Sequence, residues 1–86
     1  MVTREVLVSN SRGLHARPAT LLVRKAASFK SDIGIEYMGK KANIKSLIGI
    51  LSLGVGPDTI VNVIVNGLDE KLALEEIVTL IKSLEE

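Results

Sequence analysis

His15 is the one histidine among the 86 residues, and Arg17 follows it by two positions. Gly13 and Pro18 around the pair indicate a turn leading into a helix, so His15 should lie at or near the N-cap. A neutral imidazole nitrogen is a nucleophile, helix N-termini attract anions, and a guanidinium binds phosphate oxygens through a planar fork of donors. The pattern fits reversible capture of a phosphoryl group, but from residue types alone an exposed histidine without a role is the more common case.

Ser46, which precedes a short apolar segment, is the second candidate. As an N-cap it would accept a hydrogen bond from the amides of the following helix, which is the common role of serine at such a place. As a phosphorylation site it would place a phosphate where the helix dipole stabilises negative charge, next to Lys45. Residue types alone leave both roles open.

The segment after Ser46 is apolar around more of its circumference than contact with a core requires. Its apolar residues include Leu47, Ile48, Ile50 and Leu51. Some of these side chains should therefore be exposed. They either cover an edge of the protein or form a small docking patch for partner proteins, and both interpretations remain open.

Composition excludes several classes of protein. The chain is 47% hydrophobic and 24% charged, which is ordinary for a folded domain, and it has no cysteine for a disulfide scaffold or a thiolate metal site. With one histidine and scattered carboxylates, we expect no metal and no cofactor. The net charge of +1 is spread evenly along the chain, so we expect no direct binding of nucleic acid.

Hydropathy gives no sign of a membrane segment. The longest stretch without a charged side chain, residues 46–57, is too short to span a bilayer and contains three glycines and a proline. Arg4 and Glu5 near the start leave no hydrophobic region of a signal peptide. We therefore expect a cytoplasmic protein without membrane insertion, built as a single domain over residues 1–86.

Hydrophobic periodicity predicts seven elements in the order β-α-β-β-α-β-α. The predicted strands cover residues 3–8, 32–37, 40–43 and 60–65. The predicted helices cover residues 16–28 and 46–53, with a third after Asp69. Helices with one apolar face need a common apolar surface, so the fold class should be α+β. We expect an open-faced two-layer sandwich, a four-stranded antiparallel sheet with three helices on one face.

Details of the elements follow from the same patterns. The β-rich run at residues 60–65 predicts an inner strand. Gly54 should end the second helix and Asp69 should cap the third, whereas the Gly54-Val55-Gly56 segment predicts only a loop. Two apolar stripes are predicted to face the core: Ala19, Leu22, Val23, Ala26 and Ala27 on the first helix, and Leu74, Ile77, Val78, Ile81 and Leu84 on the last.

Two motifs resemble those of the HPr family, the histidine-containing phosphocarriers of the bacterial sugar phosphotransferase system. Residues 13–19, with the sequence GLHARPA, resemble the signature around the active histidine of this family. Residues 43–53, NIKSLIGILSL, resemble its second signature and lie at the matching distance. Length and element order also agree, so the resemblance covers essentially the whole chain.

The resemblance implies a phosphocarrier rather than an enzyme. Enzyme I, phosphorylated from phosphoenolpyruvate, would transfer its phosphoryl group to Nδ1 of His15, which would pass it to an enzyme IIA domain of a sugar permease. Arg17 would neutralise the phosphoryl oxygens, and the amides of Ala16 and Arg17 would bind them. Leu47, Ile48 and Leu51 would dock the partners. Members of the family are typically monomeric.

The resemblance also implies a regulatory site. In Gram-positive HPr proteins the residue that matches Ser46 is phosphorylated from ATP by an HPr kinase/phosphorylase. The product binds a catabolite-control transcription factor and is a poor acceptor from enzyme I. Ile48 replaces a methionine found in many relatives, which concerns partner preference.

Three alternative functions remain for comparison. One is a phosphocarrier of the nitrogen-linked branch, although Ser46 and the apolar segment match the sugar type. Another is a regulatory corepressor that carries no phosphate, but such paralogues lack the histidine that is present here. The third is an RNA-binding sandwich, which would need exposed aromatic residues or a basic face.

Overall fold

The computed structural model describes residues 1–84. Its elements run in chain order β1 (Val2–Val8), α1 (Ala16–Ala27), β2 (Asp32–Tyr37), β3 (Lys40–Asn43), α2 (Leu47–Leu53), β4 (Thr59–Asn66) and α3 (Glu70–Ser83). The predicted order is confirmed, and the boundaries agree to within one or two residues. No helix within residues 1–84 is both long and apolar enough to cross a bilayer.

The four strands form one antiparallel sheet in the order β1-β4-β2-β3. β4 lies between β1 and β2, where Val61 pairs with Val6 and Val63 pairs with Ile35. This inner position explains the density of β-branched residues in β4, since such side chains pack well against neighbours on both sides. The predicted inner strand is confirmed.

Alternate strand residues point to the helices and form the core. Buried strand positions include Val6, Val8, Ile33, Ile35, Val61, Val63 and Val65. The helices cover this face with residues such as Leu22, Ile50, Leu74 and Ile77. On the opposite face Leu7 and Ile60, which pair across β1 and β4, are exposed. The result is the predicted α+β open-faced sandwich.

The stripe predicted for α1 is wrong at one position. Ala27 is exposed, whereas Ala19, Leu22 and Ala26 are fully buried. α1 packs against α2 and α3, and only a narrow side of the helix is buried. Beyond the end of the helix, Phe29 fills the core instead.

Asp69 lies at the predicted N-cap position of α3, but its carboxylate makes no capping bond to that helix. It accepts hydrogen bonds of 2.9 Å from the amides of Lys30 and Ser31, and another from the Ser31 hydroxyl. The side chain therefore ties the start of α3 to the chain between α1 and β2. Its role is tertiary rather than local, a contact that sequence spacing does not reveal.

Candidate functional site

His15 is the N-cap residue of α1, as predicted. Its backbone is extended, and its carbonyl accepts the 3.0 Å hydrogen bond from the Ala19 amide that begins the helix. The imidazole makes no capping bond to the helix, and its Nδ1 lies 3.4 Å from the Gly13 carbonyl oxygen. The residue is partly exposed, so a partner can reach it.

The first turn of α1 carries positive charge and no acidic side chain. Arg17 lies in this turn and is exposed, as is Ala16. Pro18 is buried and has no N–H, so the amides nearest His15 are those of Ala16 and Arg17. The structure therefore brings the predicted residues together at one helix start, where the helix dipole favours an anion.

The loop before His15 is fixed by Asn10 and Gly13. Asn10 is buried, and its side-chain amide donates a 2.6 Å hydrogen bond to the Gly13 carbonyl. The Gly13 amide in turn donates to the Asn10 carbonyl at 3.3 Å. These two bonds close the turn that presents the imidazole. The sequence indicated a polar turn here but gave Asn10 no particular role.

Val55 supports the same loop from the other side. Its carbonyl accepts a 3.0 Å hydrogen bond from the Leu14 amide. A Cβ added to Gly13 would lie 2.2 Å from that carbonyl oxygen and 2.6 Å from the carbonyl carbon of Gly56, and Gly13 also has a φ of +67°. Only glycine fits, because both the conformation and the close approach exclude a side chain. The segment predicted as a plain loop thus holds the backbone beside His15.

Ser46 is the N-cap of α2, as predicted. Its hydroxyl oxygen accepts a 3.0 Å hydrogen bond from the Gly49 amide, and the residue is partly buried. Gly54 ends the helix in the left-handed conformation. Lys45 is occupied elsewhere, because its ammonium group donates a 2.9 Å bond to the Phe29 carbonyl. The geometry therefore establishes Ser46 as the N-cap of α2. The hydroxyl group is only an acceptor in this bond, so its hydrogen takes no part in it.

The predicted docking residues are exposed. Leu47, Ile48 and Leu51 all present surface, and Ile48 is 78% exposed, whereas Ile50 is fully buried in the core. α2 packs against α1, where Leu21 is also exposed. Leu21 lies outside the apolar stripe predicted for α1, so its exposure agrees with the helical period, although it was not among the predicted docking residues.

The expectation that charge is spread evenly along the chain is wrong. No acidic residue lies in residues 6–31 or 37–57, the segments that contain α1 and α2. Arg17 and Arg24 are exposed on α1. In contrast, α3 carries Glu70, Glu75 and Glu76. A chain that is nearly neutral in total therefore presents basic elements around His15 and Ser46.

Within residues 1–84, no three His, Asp or Glu side chains are grouped to hold a metal ion.

Comparison with known proteins agrees with this geometry. The sequence model of the family described as PTS HPr component phosphorylation site matches residues 2–83. HPr-C-His from Thermoanaerobacter tengcongensis is similar, with 43% identity and a TM-score of 0.93, over 96% of this chain and 93% of that chain. The phosphocarrier protein HPr from Bacillus anthracis str. Ames has 42% identity and a TM-score of 0.88, over 92% and 94% of the two chains.

A third solved structure is of a related regulatory protein. Crh, the catabolite repression protein of Bacillus subtilis, has 42% identity and a TM-score of 0.79, over 100% of this chain and 99% of that chain, and its structure is an intertwined dimer with a swapped segment. Since the family match spans nearly the whole chain, the family is established. The chain belongs to the HPr family, the phosphocarriers of the phosphotransferase system.

Proposed function

We propose that this chain accepts a phosphoryl group from phospho-enzyme I on His15 and passes it to enzyme IIA domains of sugar permeases. The observation that carries the proposal is the position of His15 as the N-cap of α1, with Arg17 in the same turn and no acidic side chain there. Such a site attracts an anion and offers it a nucleophile. Membership of a phosphocarrier family supports the same conclusion.

The chemistry uses few groups. Nδ1 of His15 attacks phosphorus with its lone pair, and a nitrogen–phosphorus bond forms as the bond from phosphorus to the donor breaks. The ring proton stays on Nε2 during this step. The guanidinium of Arg17 and the amide of Ala16 stabilise the negative charge on the phosphoryl oxygens, which would otherwise repel the attacking lone pair. Transfer to the next acceptor runs through the same contacts in reverse.

Partners would dock on the surface of α2 and the start of α1. Leu47, Ile48 and Leu51 supply exposed apolar area. Residues 6–31 and 37–57, the segments that contain α1 and α2, hold no acidic residue. This combination suits a partner with an apolar centre and an acidic rim, since complementary charge speeds encounter. We take the carrier to be a monomer; the swapped dimer of Crh is the alternative that light scattering would distinguish.

We further propose that Ser46 is phosphorylated from ATP by an HPr kinase/phosphorylase, and that the product binds a catabolite-control transcription factor. The Ser46 oxygen accepts from the Gly49 amide, so a phosphate at this oxygen would remain next to the helix N-terminus. The similarity to Crh, a catabolite repression protein, supports this second role. The added charge would weaken docking of partners selected by a basic surface.

Intact mass spectrometry tests the carrier function directly. Incubation with phosphoenolpyruvate and enzyme I should add one phosphoryl group, and mild acid should remove it, because phosphohistidine is acid-labile. The His15→Ala variant should remain folded and gain nothing. A gain that survives acid, or a gain in the variant, would contradict transfer through His15. Transfer from the phosphorylated protein to enzyme IIA domains of the sugar type or of the nitrogen-linked type then shows which branch of the phosphotransferase system the carrier serves.

A further inference from the structure

We propose that Asn10 is a positioning residue for phosphoryl transfer, because its amide occupies the Gly13 carbonyl that faces Nδ1 of His15. The inference rests on the proposed function of His15 as the acceptor. It assigns a task to a buried polar side chain that lies outside the two family-like motifs. The task is to lower the share of molecules in which the attacking nitrogen carries the proton.

The Gly13 carbonyl has two neighbours that can donate to it. The Asn10 side-chain amide is 2.6 Å away, which is a short and strong hydrogen bond for an amide donor. Nδ1 of His15 is 3.4 Å away, beyond the usual range of 2.7–3.2 Å for such bonds. The carbonyl oxygen has two lone pairs and can accept from both groups, but the bond from Asn10 is the shorter one, and two donors on one oxygen weaken each other.

This division matters for the tautomer of His15. A ring nitrogen that donates to a carbonyl must carry the proton, so a strong bond from Nδ1 to Gly13 would favour the tautomer with hydrogen on Nδ1. That tautomer has no lone pair on Nδ1 and cannot form the nitrogen–phosphorus bond there. Because Asn10 already donates to this oxygen, the oxygen attracts a proton on Nδ1 less strongly, and a larger share of the molecules has hydrogen on Nε2 and the lone pair on Nδ1.

The role of Asn10 is separable from general support of the loop. The Leu14 amide is held independently by the Val55 carbonyl at 3.0 Å. Gly13 is confined by its close approach to Val55 and Gly56. With these constraints in place, loss of the Asn10 amide should change the hydrogen bonding of the Gly13 carbonyl more than it changes the path of the backbone.

Nitrogen NMR of the imidazole in the unphosphorylated protein tests the proposal. At a pH where His15 is neutral, the ¹⁵N shifts of the imidazole report how the proton is divided between Nδ1 and Nε2. Asn10→Ala should move the shifts in the direction of more proton on Nδ1 than in the wild type. Asn10→Leu keeps a similar side-chain volume and removes the same donor without adding charge, so it serves if the alanine variant is poorly folded. Asn66→Ala, at an exposed position of β4, is the matched control.

Kinetics with enzyme I give the second readout. Asn10→Ala or Asn10→Leu should lower kcat by about tenfold, the equivalent of one ordinary hydrogen bond, with KM little changed because the docking residues are untouched. Unchanged ¹⁵N shifts in a folded variant that lacks the donor, or a change in KM alone, would overturn the role of Asn10. Absence of phosphorylation in the wild type would instead refute His15 as acceptor, whatever the shifts show.

Discussion

The carbonyl of Val55 accepts a 3.0 Å hydrogen bond from the amide of Leu14, the residue directly before His15. Val55 is separated from the end of α2 by a single left-handed residue, Gly54. One backbone bond thus joins the end of α2 to the loop that begins α1. The candidate acceptor is held by two helices and the sheet beneath them rather than by a mobile loop, which is the arrangement that precise transfer requires.

Gly13→Ala tests this junction. The new Cβ would lie 2.2 Å from the Val55 carbonyl oxygen, in a backbone with φ of +67°. The left-handed conformation alone costs about 1–2 kcal/mol for an L-residue, and the collision with backbone atoms adds to it. We expect the free energy of unfolding to fall by about 3 kcal/mol or more. Urea unfolding measures the loss, and transfer from enzyme I should be slower in the molecules that remain folded.

Gly54→Ala provides the control for this variant. Gly54 has a φ of +66°, nearly that of Gly13, but a Cβ there meets nothing within 4 Å. The control should lose only about 1 kcal/mol, the cost of the conformation itself. Equal losses in the two variants would show that the approach to Val55 does not matter.

Arg17→Ala tests electrostatic assistance at the site. Removal of the guanidinium should slow phosphorylation by phospho-enzyme I by about 10- to 100-fold, since one charge-assisted contact to the transferring group is lost. Arg24→Ala removes the same charge from an exposed position two turns further along α1 and should slow the reaction less than about threefold. Stopped-flow or quench-flow rates decide the matter. Equal effects of the two variants would mean that Arg17 acts only through the overall positive charge of α1 and not through direct contact with the phosphoryl group.

Sequence patterns predicted the elements well because each helix and strand has its own hydrophobic period. They also placed His15 and Ser46 at helix starts, since turn residues and apolar stripes define those positions locally. What they could not show were contacts between distant segments. The bond from Leu14 to Val55 spans a gap of 41 residues (55 − 14), and no local period encodes it.

One further surprise has the same origin. Asp69 was predicted as a helix cap, yet its carboxylate is used by Lys30 and Ser31, which the fold brings to it. The uneven distribution of charge, by contrast, is already present in the sequence, since residues 6–31 and 37–57 contain no acidic residue.

Ile48→Ala tests the docking surface. Because Ile48 is 78% exposed, its truncation should change the free energy of unfolding by less than about 0.5 kcal/mol. It should raise KM for enzyme I severalfold and leave kcat nearly unchanged, which is the signature of lost uniform binding. Ile60→Ala removes an isoleucine that is 61% exposed on the opposite face of the sheet and should have no effect on KM. A KM that is unchanged by Ile48→Ala would remove this residue from the interface.

Ser46→Asp separates the two roles of this serine. Aspartate is as good an N-cap as serine, so the variant should keep its stability, whereas Ser46→Ala should lose about 1 kcal/mol because the Gly49 amide loses its acceptor. Acceptance of phosphate from enzyme I should weaken in Ser46→Asp alone, as negative charge enters the basic surface. Ser52→Asp adds the same charge elsewhere on α2 and controls for net charge. Unimpaired acceptance in Ser46→Asp would count against regulation at this site.

Asp69 gives the protein a defined response to acid. The hydroxyl of Ser31 and the amide of Lys30 donate to its carboxylate and hold its pKa below the ordinary value of 3.8. A folded-state pKa that is depressed means that the stabilisation is fully present above pH 3.8 and is lost as the pH falls through the folded-state pKa. Asp69→Asn should therefore be least stable relative to the wild type near neutral pH, and the difference should shrink in acid.

Urea unfolding at a series of pH values down to about pH 2 measures that difference. Ser31→Ala, which removes only the hydroxyl donor, should reduce the acid response partly. Some acid response should survive in both variants, because the Gly67 amide and the N-terminus lower the pKa of Glu70 in the same direction. A difference between the wild type and Asp69→Asn that stays constant across the pH series would show that the carboxylate is not held by these donors.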